Sequence, residues 1–163
     1  MGRNNTIAEI GKFKEEIHSA LFKNQDILEL LLGDINNMSP EEIISGFKKH
    51  VESHLYIDEI VDEAITYIFY DVRVSNIEKE LKNIRVIMYV IAPRNNEIGD
   101  YYKEGYHGNK TDILSEMIED TLINDEKTAN AFGIGKLRLT DVDIYNATRF
   151  YGRVLTFKVS TFR

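Results

Sequence analysis

Apolar residues recur every three or four positions through the first third of the chain. Ile7, Ile10, Phe13, Ile17, Ala20 and Leu21 fall on one stripe, which predicts an amphipathic helix. Ile27 to Leu32 is a second, shorter apolar segment, and Gly33 stands where a helix would stop. Ser39-Pro40-Glu41-Glu42 reads as a helix start. Ser39 can cap, Pro40 suits the first helical position, and Glu42 sits where a capping box needs it. Ile43, Ile44, Phe47 and Val51 then share one apolar face. This third helix is expected to run on through His50 and His54.

The period changes near Ile65. Residues 65–74 are rich in β-branched and aromatic side chains and read as a strand. Residues 83–92 form another, with Ile84, Val86, Met88 and Val90 on one face and Arg85, Ile87, Tyr89 and Ile91 on the other. Both faces are mostly apolar, which predicts a central strand covered on both sides. The short link between the two suggests an antiparallel pair, and Pro93 ends the second. Residues 94–108 form a polar loop carrying Tyr101, Tyr102 and Tyr106. An amphipathic helix follows (Ile113, Leu114, Met117, Ile118, Leu122), which Asn109 or Thr111 can cap. Leu137 and Leu139 alternate with polar neighbours, and residues 154–162 form the last strand. Residues 141–150 look like an insertion between these strands, longer than a tight hairpin needs. The expected fold is α+β, a single domain over 1–163. Its helical part spans 1–64 and a ββαββ core spans 65–163. The order is ααα-ββ-α-ββ, with a four-stranded, mainly antiparallel sheet packed by helices.

Composition narrows the function more than the fold. A chain of 163 residues, 43% hydrophobic and 29% charged, suits one globular domain. No apolar run approaches the roughly 20 residues of a membrane span. There are no cysteines, so thiol nucleophiles and cysteine-ligated zinc are excluded, and an intracellular setting is the default. The net charge is −7, and residues 1–82 carry all of that excess. Residues 133–163 hold six basic and two acidic side chains. An acidic front and a basic tail can attract each other within or between copies. The overall acidity argues against a dedicated nucleic-acid binder.

Motifs with chemistry are sparse. His50 and His54, four apart on the expected helix with Asp58 one turn on, could place two imidazoles on a metal. The run lacks the glutamate of a zincin motif, however, and a solvated helix face explains it more simply. The Asp58, Glu59, Asp62, Glu63 run reads as an acidic surface. Gly105-Tyr-His-Gly-Asn-Lys-Thr111 only partly resembles a phosphate loop, because Asn109 stands where the motif needs glycine. His107 and Asp112 could pair as acid and base, but no nucleophile or oxyanion site accompanies them. No enzyme activity, metal or cofactor is expected. The tyrosine-rich loop, the 141–150 segment and the basic last strand are instead the material of an interface.

Four segments carry a resemblance. They are Tyr67-Ile-Phe-Tyr-Asp-Val-Arg-Val74, Ile84-Arg-Val-Ile-Met-Tyr-Val-Ile91, Tyr106-His-Gly-Asn-Lys-Thr-Asp-Ile-Leu-Ser-Glu-Met117 and Phe150-Tyr-Gly-Arg-Val-Leu-Thr-Phe-Lys-Val159. In this order, over about 100 residues, the layout resembles bacteriophage neck and tail-completion proteins of the tail-terminator kind. The resemblance implies a structural virion protein assembled in the host cytoplasm. It would form a homo-oligomeric ring, a hexamer, that terminates the tail tube and docks the head connector. DNA would pass through the lumen as cargo, and no membrane would be involved. Tyr101, Tyr102, Tyr106, Arg149 and Arg153 would then make subunit contacts. A head–tail adaptor or other tail or baseplate protein is the alternative within this class. A small cytoplasmic enzyme or metal-binding domain is the alternative outside it.

Overall fold

The computed structural model describes residues 6–55, 63–75, 77, 81–94, 101–124 and 137–162. The chain runs α1 (Thr6–Lys23), α2 (Gln25–Leu32), α3 (Pro40–His50), β1 (Val51–Glu52), β2 (Tyr67–Ser75), β3 (Leu81–Pro93), α4 (Lys110–Glu119), β4 (Arg138–Asn146) and β5 (Phe150–Phe162). The fold is α+β with a mixed five-stranded sheet in the order β1-β2-β3-β5-β4. Four of the strands are antiparallel, as the sequence predicts. The fifth, β1, runs parallel to β2, with Val51 opposite Ile68.

That short strand corrects the expected helix. α3 stops at His50, and the Val51 N–H closes its last turn on the Phe47 carbonyl. Val51 is buried beside β2. The apolar period alone would let the helix continue, but pairing with the sheet edge takes its next residues. The start of the same helix is as read. Ser39 accepts from the Glu42 N–H and Glu42 accepts from the Ser39 N–H.

The helices cover one face of the sheet. Ile17, Leu21, Ile27, Leu30, Phe47, Ile113, Leu114 and Met117 meet Ile68, Tyr70, Val86, Met88, Leu155 and Phe157 in one core. Polar ties hold the layers in register. The Tyr70 hydroxyl donates to the Lys14 carbonyl at 3.0 Å, and its burial pushes the phenol pKa well above its ordinary value. Lys82, 6% exposed, reaches Glu9 on α1 at 2.9 Å. A π-helical turn, Asp120–Asn124, extends α4. There Thr121 accepts from Asn24, the N-cap of α2, at 2.6 Å.

β3 is central, as expected, but its outer face is not covered evenly. Ile91 is buried in a small cluster with Tyr67, Phe69 and Phe150, whereas Arg85, farther along, is exposed. Residues 141–150 are not an insertion. β4 continues to Asn146, and residues 147–149 alone make the turn. A register shift between Leu139 and Asp141 lets the strand extend. Two aspartates in the run depress its strand propensity, which hid it from the pattern.

Gly152 explains the Gly-Arg pair in the last strand. A Cβ there would lie 1.9 Å from the Val90 carbonyl oxygen, so Gly152→Ala must push β5 off β3. We expect a loss of about 3 kcal/mol in denaturant unfolding. A second test uses His18, which packs edge-on against Phe47 at 5.0 Å. Burial, and then nearby Lys48, hold its pKa below the ordinary 6.5. A lowered folded-state pKa gives stability that is present above pH 6.5 and is lost as pH falls through the folded value. The melting temperature should therefore drop on acidification from pH 7 towards 5.5, and His18→Leu should flatten that part of the profile.

Candidate functional site

The loop before α4 is built around two carboxylates of α2. Lys103 is bonded to Asp26 and lies 3.4 Å from Glu29. The Tyr106 hydroxyl donates to Asp26 at 3.5 Å. Tyr101 and Tyr106 are half-buried against the main core, and burial, followed by nearby acidic groups, raises both phenol pKa values. Tyr102, by contrast, is 85% exposed. The three tyrosines thus divide, two bracing the loop and one standing in solvent.

The phosphate-loop-like segment is a glycine turn into a capped helix. Gly108 takes φ +107°, a left-handed value that suits glycine. Asn109 then accepts from the Asp112 N–H at 3.0 Å, while the Asp112 carboxylate accepts from the Asn109 N–H. The other oxygen of Asp112 accepts from Arg153 Nε at 2.8 Å. That contact and the neighbouring charge raise the Arg153 pKa. Asp112 is therefore committed to a cap and an ion pair, which leaves His107 without the acid/base partner the sequence suggested.

The histidine pair also separates. His50 closes α3 and its Nδ1 donates to the Thr66 carbonyl at 2.6 Å. His54 lies beyond β1, with Nε2 3.0 Å from Glu52. They do not share a helix face, because the helix ends between them. Asp58 lies outside the described residues. Among the described residues no group of three or more histidine and acidic side chains is placed to hold a metal.

The hairpin of β4 and β5 is the most distinctive surface. β4 lies at the sheet edge, and among its residues only Leu139 packs against the main core. Val142 and Ile144 point to the helix side, opposite Leu155 and Arg153, and are 53% and 62% exposed. Asp141 and Asp143 point to the other side, opposite Thr156 and Val154. An apolar pair beside a free row of backbone groups is a template for another chain.

Arg94, which the sequence reading did not single out, locks the tip of this hairpin. Its Nε donates to the Ala147 carbonyl at 2.8 Å, its backbone N–H donates to the Arg149 carbonyl at 3.1 Å, and its guanidinium reaches Asn146. It also lies 5.7 Å from the Tyr151 ring. Arg149 sits over Phe150 at 5.5 Å and is exposed. A lone arginine just after a strand-ending proline gives no sequence signal, because its partners lie about 50 residues away.

The YomW family model matches residues 24–159. No curated protein matches the chain. For the Arg94 clamp, Arg94→Ala should cost about 1 kcal/mol of stability. The Ala147 amide should then exchange with solvent faster, while amides at the centre of β3 keep their protection.

Proposed function

The chain belongs to the YomW family, a name of prophage type that marks a phage-related protein, and from that premise we propose a structural virion protein of the head–tail junction. In this reading copies assemble into a closed ring, a hexamer, that terminates the tail tube and docks the head connector. DNA passes through the lumen. The ring is built in the host cytoplasm and resides in the virion neck, and neither an enzymatic reaction nor a cofactor is involved.

The observation that carries the reading is the β4 edge, unpaired among the described residues, with Val142 and Ile144 exposed. Large apolar side chains on an unpaired edge are a liability unless a neighbour covers them. A ring of head-to-tail contacts covers every such edge, since a heterologous interface that closes leaves none free. Tyr102 and Arg149, both at the surface, are the anchors we assign to the contact beside β4. Tyr101, Tyr106 and Arg153 support it by bracing the loop and α4.

Mass measurement by light scattering and negative-stain imaging of the purified protein test the proposal. A ring of defined mass is expected at high concentration or after mixing with tail-tube and connector proteins. Val142→Asp combined with Ile144→Asp should abolish it. The melting temperature should scarcely move, because exposed substitutions typically change stability by about 0.5 kcal/mol or less. A strict monomer under both conditions would overturn the ring.

A further inference from the structure

Pairing of the strands lines up four cations that the sequence scatters over 85 positions. Arg73 on β2 lies opposite Arg85 on β3. Arg85 lies opposite Lys158 on β5. Lys158 lies opposite Arg138 on β4. All four belong to the sheet face opposite the described helices, and they form one straight row across four adjacent strands. Arg73, Arg85 and Arg138 are exposed and Lys158 is half-buried. Among the described residues none of the four has a carboxylate partner.

Like charges directly opposite each other oppose strand pairing, so the fold tolerates this row at a cost. We propose that the row is a binding strip for the phosphate backbone of duplex nucleic acid. Strands about 4.8 Å apart spread four cations over about 14 Å. Along a duplex that length spans about four base-pair steps, at about 3.4 Å of helix axis each, with phosphates of both strands in reach. Three of the four are arginines, whose planar guanidinium matches phosphate oxygens two at a time.

The surroundings select this occupant. On the next rung Asp71, Ile87, Thr156 and Asp141 lie in register. Lys14 engages Asp71 at 2.9 Å, and the middle of that rung is neutral. On the far side Ser75 and Asn83 lie opposite each other. Among the described residues Ile87, half-buried, is the apolar side chain beside the row, and no fully exposed aromatic or apolar anchor of the kind a protein partner needs at the centre of an interface stands on these rungs. The aromatic end of the same face, Tyr67, Phe69 and Phe150, is buried. Among the described residues the remaining aromatics of that face, Tyr89 and Tyr145, are half-buried and pack edge-on against each other at 5.7 Å, which disfavours single-strand capture by stacking and favours sequence-independent backbone contact. The acidic remainder of a chain of net charge −7 repels a polyanion and turns this face towards it.

The inference does not depend on ring formation and is tested on monomer. Anisotropy of a labelled random-sequence duplex of about 20 base pairs is followed between 50 and 200 mM salt, using the full chain and the Val142→Asp, Ile144→Asp variant. Four phosphate contacts predict a slope of log affinity against log salt of about −3.6, hence a fall of about 100-fold over that range. Arg85→Gln with Lys158→Gln should cut the slope by about half and raise the melting temperature. Lys12→Gln with Lys48→Gln, on the helical side, should leave the slope unchanged. Absence of binding at 50 mM salt would overturn the proposal, as would equal slopes for the two double variants. It would also fall if the Arg85, Lys158 variant lost self-association or binding to an acidic protein while keeping the duplex.

Discussion

β3 and β5 are each 13 residues long and pair along their whole length. Everything else hangs on that ladder. It places Met88 beside Leu155 and Val86 beside Phe157 under the helices, where burial of each large apolar side chain contributes about 1.5–3 kcal/mol. It also demands that the two backbones approach at Gly152 more closely than any Cβ allows. One step along, Arg153 crosses to Asp112 and ties the ladder to the start of α4. A glycine and an arginine side by side thus do opposite jobs, one by lacking a side chain and the other by reaching out of the sheet.

The ladder also separates two kinds of surface. On the helix side, the described helices pack over β2, β3 and β5, and of β4 only Leu139 joins that core, so Val142 and Ile144 face outward. On the other side no described helix packs, and the strands grade from a buried aromatic end to a row of cations. The edge suits contact with another copy of the chain, and the row suits a polyanion. Both arise from the same asymmetry, a helical layer that covers one face and not the full width of the sheet.

Much of this fold could be read from local pattern. The caps at Ser39 and Asn109, the stop at Gly33, the pairing of β2 with β3 and the strands β2, β3 and β5 all rest on residues within a few positions of each other. The same locality explains the failures. β1 breaks a helix that the apolar period would continue, because the alternative partner for Val51 is Ile68, 17 residues on. β4 extends through two aspartates because β5 supplies a ladder for it. The candidate tyrosines and arginines were visible as residue types, but their division into braces and surface groups depends on Asp26, Glu29 and Asp112, which the loop meets only after folding.

By itself the sequence determined an α+β chain without cysteines and with an acidic front, since composition and short-range periodicity suffice for those. Its net charge argued against nucleic acid. Only the tertiary structure decided where the charge lies. Residues 73, 85, 138 and 158 have no relation in a linear reading, yet a sheet orders residues by register and not by position. Register brought four cations onto one rung of one face, and it left Val142 and Ile144 exposed on the edge strand.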